Sequence, residues 1–434
     1  MTQAGASHSG DRKLSRDIVW TAGSFFILAA SGIAINVAIA VLRDPSALGI
    51  FNLSYAVYII ASQFAAAGVH YSVLRSSAHY SDDAETRRRL LWTGASLALA
   101  LGLLVGAAIW LAAPLFGQLF NSAASGRAIA WVGLGLTLFP LNKVLISYIN
   151  GMRHMRAFSV LQAARYILVM AWVVGVALSD LAFEAASLAF FAAELVTVIA
   201  ALLYLGRAGL LGRYTFDRAW LTQHVRFGLK SLPSGMFLEI NTRVDVLIIG
   251  IFLSEREVGI YSFAAMLADG LYHMLAMVRV NVNPILVAAR RDQAWEQSLR
   301  LMRLSRRGML PLVSLASLLI GAGYFIAVEH ILVKPELLEG LVPLAILLGG
   351  LTLISTFVPF DNLLMVSGFP GYQTLQNFVV VVTNIVLNII LIPQLGIAGA
   401  ALGTAASYMV GLIVLFSMSR RLVGWNLLTN KMAG

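Results

Sequence analysis

The sequence predicts an all-α integral membrane protein of about twelve transmembrane helices, arranged as two six-helix lobes related by a parallel repeat. Three observations carry that expectation. Hydrophobic residues make up 59% of the chain and charged residues 12%, with a mean hydropathy of +0.82, more apolar surface than a soluble domain can leave in water. Apolar runs of about 20 residues, long enough to cross ~30 Å of hydrocarbon, recur along the whole chain. Lysine and arginine gather in alternate connections, as they do when basic residues collect on the cytoplasmic side. A β-barrel is excluded, because its strands would alternate apolar and polar residues at period 2.

The spans are expected near residues 18–42, 47–73, 91–113, 128–149, 158–179, 182–206, 228–253, 258–281, 308–332, 341–366, 373–393 and 396–418. The first run is too long for a signal-peptide core and no small-residue cleavage site follows it, so the N-terminus is expected to be retained. There is no cysteine, which excludes disulfides and thiol chemistry. With the N-terminus in the cytoplasm, the tail and inner loops hold 24 of the 31 basic residues, and the outer loops hold Arg43, Arg127, Arg256 and Lys334. Lys143, Arg243 and Arg279 fall inside spans, where such residues face protein or a wet cavity. The net charge of +10 is therefore a topology signal rather than a nucleic-acid footprint.

No connection exceeds about 25 residues, too short for a separate soluble domain. The expected organisation is an N-terminal lobe over 1–206, a basic cytoplasmic linker over 207–227 and a C-terminal lobe over 228–434. In the inner segment 284–307, Trp295, Leu299 and Met302 recur at i, i+4, i+7 among Arg291, Arg300, Arg303 and Arg306. That is the pattern of a helix lying on an anionic inner leaflet, or of a solvated connector helix.

An internal repeat supports the two lobes. ALGIFNLSYA (47–56) and EVGIYSFAAM (257–266) each follow a charged outer turn, open a span and lead to an Arg-rich inner loop. Gly49-Ile50-Phe51 aligns with Gly259-Ile260-Tyr261, 210 residues later. Six spans per half returns the chain to the same side, so the halves are parallel, with a binding site expected between them.

The stretches ALGIFNLSYAVYIIASQFAAAGVHYSVLR, NTRVDVLIIGIFLSEREVGIYSF and NIVLNIILIPQLGIAGAALGTAASY resemble the polysaccharide-repeat-unit flippases. These belong to the multidrug/oligosaccharidyl-lipid/polysaccharide exporter superfamily, with the lipid II flippases. The resemblance spans essentially the whole chain. It implies a V-shaped exporter fold in a bacterial inner membrane and alternating access. The implied cargo is an undecaprenyl-diphosphate-linked oligosaccharide, moved from the inner to the outer leaflet for O-antigen, lipopolysaccharide or exopolysaccharide assembly. A polysaccharide polymerase and chain-length machinery are the implied partners, with membrane lipids. A small-molecule multidrug cation antiporter of the same superfamily is the alternative.

Flipping requires no nucleophile, metal or cofactor, only a sheltered polar route. Arg243 is the first candidate for the diphosphate, followed by Arg279, Arg165 and Lys143, because guanidinium groups bind phosphate bidentately. The last three could equally snorkel to the inner interface. Asn36, Asn52, Tyr55, Tyr58 and Gln63 offer amides and aromatic faces to sugars, or hydrogen bonds between helices. No Gly-rich phosphate loop is present, so H+ or Na+ coupling is expected, with Asp245, Asp269, Glu194 and Glu239 as carriers and His273 one turn after Asp269. In a continuous helix over 236–253, Glu239 and Arg243 would share one stripe, and Asn241 and Asp245 the nearly opposite one. The first pair could line the cleft or simply neutralise itself. Asp361 is expected to be a cap or loop contact, and Asn384 and Asn388 to tie helices together.

The charge asymmetry makes a topological prediction. Reporters active only outside the cytoplasm should work when fused near Ser254 and be silent near Arg213 or Gly434; activity at Gly434 would overturn the even span count.

Overall fold

The apolar runs fold as helices. A computed structural model describes residues 3–432, with side chains from Val19 onward apart from Phe25, Ser234, Gly235 and Leu238. The basic tail around Arg12 lies outside the described side chains. In chain order the helices are α1 (Gln3–Leu42), α2 (Pro45–Ala66), α3 (Val69–His79), α4 (Ala84–Leu119), α5 (Ala123–Gly151), α6 (Met155–Leu178) and α7 (Ala189–Arg207). They continue as α8 (Arg218–Asn241), α9 (Val244–Phe252), α10 (Glu255–Asp292), α11 (Glu296–Ile326), α12 (Leu341–Ile354), α13 (Leu363–Val366), α14 (Pro370–Leu395) and α15 (Ile397–Met418). Among the described residues, 11 helical stretches are long and apolar enough to cross a membrane. The remaining predicted span, 228–253, is the interrupted pair α8 and α9, broken at Thr242 and Arg243.

Helix starts follow from local chemistry. Asp83 caps α4 by accepting from the backbone N–H of Glu85 and Thr86 at 3.1 and 3.0 Å, and from the Thr86 hydroxyl at 2.6 Å. Those bonds hold its carboxyl below the usual range, the Thr86 hydroxyl contributing most. At α10, Ser254 and Glu257 form a capping box, Ser254 N–H donating to Glu257 Oε2 at 2.8 Å.

The chain divides into two compact units, Met1–Arg43 with Leu53–Met236, and Asp44–Asn52 with Phe237–Gly434. In the first, α4 and α5 run together along small residues: a Cβ on Gly106 would lie 2.5 Å from Gly133 O, and one on Gly133 2.8 Å from Gly106 O. Such close approach is how helices associate where hydrophobicity gives no preference for protein over lipid. The second predicted span breaks at Ala67 and Gly68, both with left-handed φ (41° and 69°), and α8 crosses there, Ser231 Oγ standing 2.4 Å from where a Gly68 Cβ would sit.

The segment expected as a linker, 207–227, makes side-chain and backbone contacts to α3 and α4. Trp92 Nε1 donates to Leu211 O at 3.1 Å, and Asp217 N–H to Thr93 Oγ1 at 3.0 Å. His224 is buried, its Nε2 donating to Leu90 O at 3.0 Å and its Nδ1 2.8 Å from Ser72 Oγ. The segment lies within the first compact unit, which runs to Met236, and the polar groups named here are satisfied there.

In the second unit, Asp44–Asn52 sits with the start of α10. A Cβ on Gly49 would lie 1.8 Å from Glu255 O, and one on Gly259 1.9 Å from Pro45 O. The two contacts exchange under the same 210-residue shift that relates the sequence repeats. The core is closed by residues beyond α15: a π-turn (Ser419–Val423), Gly424 at φ 75°, and a hairpin of β1 (Trp425–Asn426) and β2 (Lys431–Met432). Trp425 is fully buried among Trp295, Met302, Phe360 and Leu427. Asn430 Nδ2 donates to Leu299 O at 2.9 Å, and Arg306 donates to the carbonyls of Leu427 and Leu428. The reading of 284–307 as a helix resting on the leaflet through Trp295, Leu299 and Met302 is therefore corrected: that stripe meets the C-terminal hairpin.

Trp425→Ala should remove about 3–5 kcal/mol of stability, the cost of emptying a buried indole site. The measurement is the thermal midpoint in detergent; an unchanged midpoint would mean that the hairpin does not close this core.

Candidate functional site

Four helices of the first unit converge on one carboxylate. Glu194 on α7 has a side chain only 1% exposed, and Arg165 on α6 reaches it with Nε donating to Oε1 at 2.6 Å. Tyr58 on α2 donates to the same oxygen at 2.9 Å and accepts from Arg165 Nη2 at 3.1 Å. Asn142 on α5 donates to Glu194 Oε2 and, at 2.8 Å, to Thr197 Oγ1, one turn after Glu194 on the same face of α7. A carboxylate removed from water is tolerable only when its lone pairs are met this completely. Aromatic rings wall the pair in: the Tyr58 ring stacks on Phe190 at 4.4 Å, while Arg165 and Lys143 stand 5.4 and 5.2 Å from the Phe139 centroid.

Arg165 and Glu194, expected in different roles, are therefore one ion pair. Tyr58, expected to offer its face to a sugar, is buried with both its ring and hydroxyl engaged. Asn142 and Thr197 were not singled out by the sequence, although Thr197 follows Glu194 at i+3. Asn36 and Asn52 each donate to a carbonyl one turn back, Gly32 O and Leu48 O, both at 2.9 Å, and Gln63 to Ile59 O at 3.5 Å. Such bonds satisfy an amide inside an apolar helix, and a sugar would have to displace them. Tyr55 is half-buried, its ring 5.8 Å from Phe190.

In the second unit the chemistry gathers at the break in the seventh span. Arg243 is the N-cap of α9 and Asp245 lies in its first turn. Because α8 stops at Asn241, the two stripes expected of a continuous helix do not exist: Glu239 ends one helix and Asp245 begins the next. Asp245 is buried and accepts from the Tyr261 hydroxyl on α10 and from Val246 N–H at 2.9 Å. Asp269 on α10 lies within electrostatic reach of Arg243 and His273, and His273 is exposed. The end of α8 is held by amides: Asn384 Nδ2 donates to Asn241 Oδ1 at 3.3 Å, and Asn388 Nδ2 to Asn384 Oδ1 at 2.9 Å. Further along α10, Arg279 Nη1 donates to Asp361 Oδ2 at 2.7 Å, so Asp361, expected to be a cap or loop contact, is the counter-ion of Arg279. Among the described residues, no group of three or more His, Asp or Glu could hold a metal ion.

Among the described residues, two of the surface crevices are well defined. One of about 690 Å3 lies between α4 and α5 at Trp110, Gln118 and Arg127, and one of about 260 Å3 lies between α10 and α11. Neither is lined by the Arg165–Glu194 or Arg279–Asp361 pair, and Arg127 at the first is paired with Glu184 at 2.7 Å.

A family model described as polysaccharide biosynthesis protein matches residues 14–289, a stretch that contains the Glu194 network, Arg243 and Asp245. The chain belongs to this polysaccharide biosynthesis protein family. Its fold is that of exporters. An inward-facing multidrug resistance MATE family transporter of the MOP superfamily superposes with a TM-score of 0.73 at 16% identity, covering 91% of this chain and 94% of that one. The lipid II flippase MurJ, in an inward closed conformation, superposes with a TM-score of 0.74 at 14% identity, covering 92% and 87%. Curated protein sequences give no match.

Breaking the buried pair in this family member should be costly. Arg165→Met and Glu194→Met should each remove about 3–5 kcal/mol, and the double change less than their sum, because it leaves no uncompensated charge. Thermal midpoints of the three variants test this; additive losses would mean that the two charges are not coupled.

Proposed function

We propose that the protein is a flippase for undecaprenyl-diphosphate-linked oligosaccharide repeat units, moving them from the inner to the outer leaflet by alternating access for surface polysaccharide assembly. The observation that carries this reading is the set of span-embedded guanidinium groups, Arg165 and Arg279 each held by one carboxylate and Arg243 set at a helix break. It occurs in a chain of the polysaccharide biosynthesis family. Arg165 and Arg279 each now make a single hydrogen bond to their carboxylate, and a diphosphate would offer each a bidentate partner instead. Protonation of the displaced carboxylate would then keep a bare charge out of the low dielectric. Arg243 leads the diphosphate contacts, supported by Arg279, Arg165 and Lys143, while Asn36, Asn52, Tyr55, Tyr58 and Gln63 would serve the sugars on giving up their present partners. No covalent step is required of the chain. That lipid II flippase is a protein of the same fold, and a lipid-linked cargo for this one is in keeping with it.

The driving force in this reading is a cation gradient, H+ or Na+. Glu194, Asp245, Asp269 and Glu239 are the carriers and His273 is an accessory group, since no nucleotide-binding loop is present. The protein resides in a bacterial inner membrane with both termini in the cytoplasm and delivers cargo to a polymerase and its chain-length partners. The alternative, a multidrug cation antiporter, draws on the likeness of fold to the multidrug transporter.

Cells lacking the protein should still build the lipid-linked repeat unit but leave it inaccessible to glycosidases added outside, while surface polysaccharide falls. Arg243→Ala should abolish export at normal membrane levels, and Arg243→Lys should retain part of it, because the charge survives without the planar fork. An intermediate that reaches the outer face unpolymerised would point to a polymerase. A change confined to toxic-compound tolerance would favour the antiporter.

A further inference from the structure

The basic end of α11 has two faces. Ser298, Met302 and Ser305, spaced at i, i+4, i+7, are buried, Met302 within the Trp425 core. The other side exposes Arg300, Arg303 and Arg307 together with Leu304, which is 56% exposed. The three arginines form no ion pair among the described residues. Glu296, one turn before Arg300, is the acid on this face, while Asp292 is taken by Arg291 at 2.7 Å. Arg306 turns inward to the hairpin carbonyls and is not part of the exposed set.

Along the edge of this basic face runs the 260 Å3 crevice between α10 and α11, walled by Val278, Val282, Leu301, Leu304, Gly308 and Leu312. Its one hydroxyl, on Ser305, already donates to Thr356 O at 2.7 Å. Gly308 gives the groove depth, since nothing lies within 4 Å of where its Cβ would sit. Beyond it, Leu312, Leu315 and Leu319 continue as an exposed apolar stripe. An apolar groove that opens onto a lipid-facing surface and ends beside unpaired guanidinium groups matches the two halves of a phospholipid.

We propose that this groove is a binding site for an anionic glycerophospholipid of the surrounding bilayer, with an acyl chain lying along Leu301, Leu304 and Gly308 and its phosphate held by Arg300 and Arg307. Under the topology proposed above, the lipid belongs to the cytoplasmic leaflet. The groove has no free polar side chain for a sugar, which separates it from a cargo site.

The test uses the full-length protein in detergent with phosphatidylglycerol or phosphatidylcholine of matched chains, read by native mass spectrometry and thermal midpoint. Phosphatidylglycerol should raise the midpoint and be retained roughly tenfold better than phosphatidylcholine, the scale that basic residues at a lipid surface support. R300Q/R307Q should abolish that preference. G308L, which fills the groove at a position with no atom within 4 Å of where its Cβ would sit, should reduce retention of both lipids. Equal retention of the two lipids by the wild type would overturn the site, and so would a preference that survives R300Q/R307Q or retention indifferent to G308L. Undecaprenyl phosphate outcompeting phosphatidylglycerol would assign the groove to the prenyl carrier instead. None of these readouts depends on transport, so the site and the flippase reading can fail separately.

Discussion

A charge inside hydrocarbon must find its opposite within arm's reach, because even the lenient scales place its cost near 2.5–3.5 kcal/mol. Much of the arrangement in the first unit follows from that demand on Glu194. Its two oxygens draw Tyr58, Asn142 and Arg165 from three other helices, so α2, α5, α6 and α7 have little freedom to slide once those bonds are made. Apolar packing alone would not fix that register, since lipid tails solvate leucine as well as protein does. The second unit meets the same demand for Arg279 with Asp361, between α10 and the turn that follows a 3-10 segment (Val358–Phe360).

The two units use polarity differently. Around Glu194 every bond reinforces one closed knot, walled by Phe139 and Phe190. In the other unit the polar groups cluster where the backbone itself is interrupted. Arg243 and Asp245 straddle the start of a new helix, and a run of asparagines from Asn241 to Asn388 secures the loose end of α8. An unwound backbone inside a membrane survives only where its free groups are satisfied; here Thr242 Oγ1 donates to Glu239 O at 2.8 Å and Arg243 N–H to Ile240 O at 3.1 Å, while the asparagines anchor the end of α8 through their side chains.

The spans were readable because length and hydropathy follow directly from bilayer thickness, and most predicted boundaries fall within a few residues of the helix ends. The repeat was readable at Gly49 and Gly259 because both positions admit no side chain, each backbone standing against the other's helix start. The break at Thr242 was not, since neither proline nor glycine marks it, and the stripe argument for Glu239 and Asp245 assumed one continuous helix. Residues 284–307 failed for another reason. An i, i+4, i+7 stripe states that Trp295 and Met302 are buried, but not whether lipid or protein buries them, and the answer lay at Trp425, more than a hundred residues downstream. For the candidate site, the types of residue were legible while their partnerships were not: Arg165, Glu194 and Tyr58 come from three separate spans, and nothing local in the sequence pairs them.

The buried hairpin sets an order of events during biosynthesis. Trp295, Met302 and Phe360 are translated well before Trp425 and Leu427, and until those later residues arrive the cluster they share with Leu286, Leu364 and Leu415 lacks its hairpin side. During that interval insertion machinery or lipid must shield that side, and a ribosome stalled after α15 would leave the spans in place with this apolar surface uncovered.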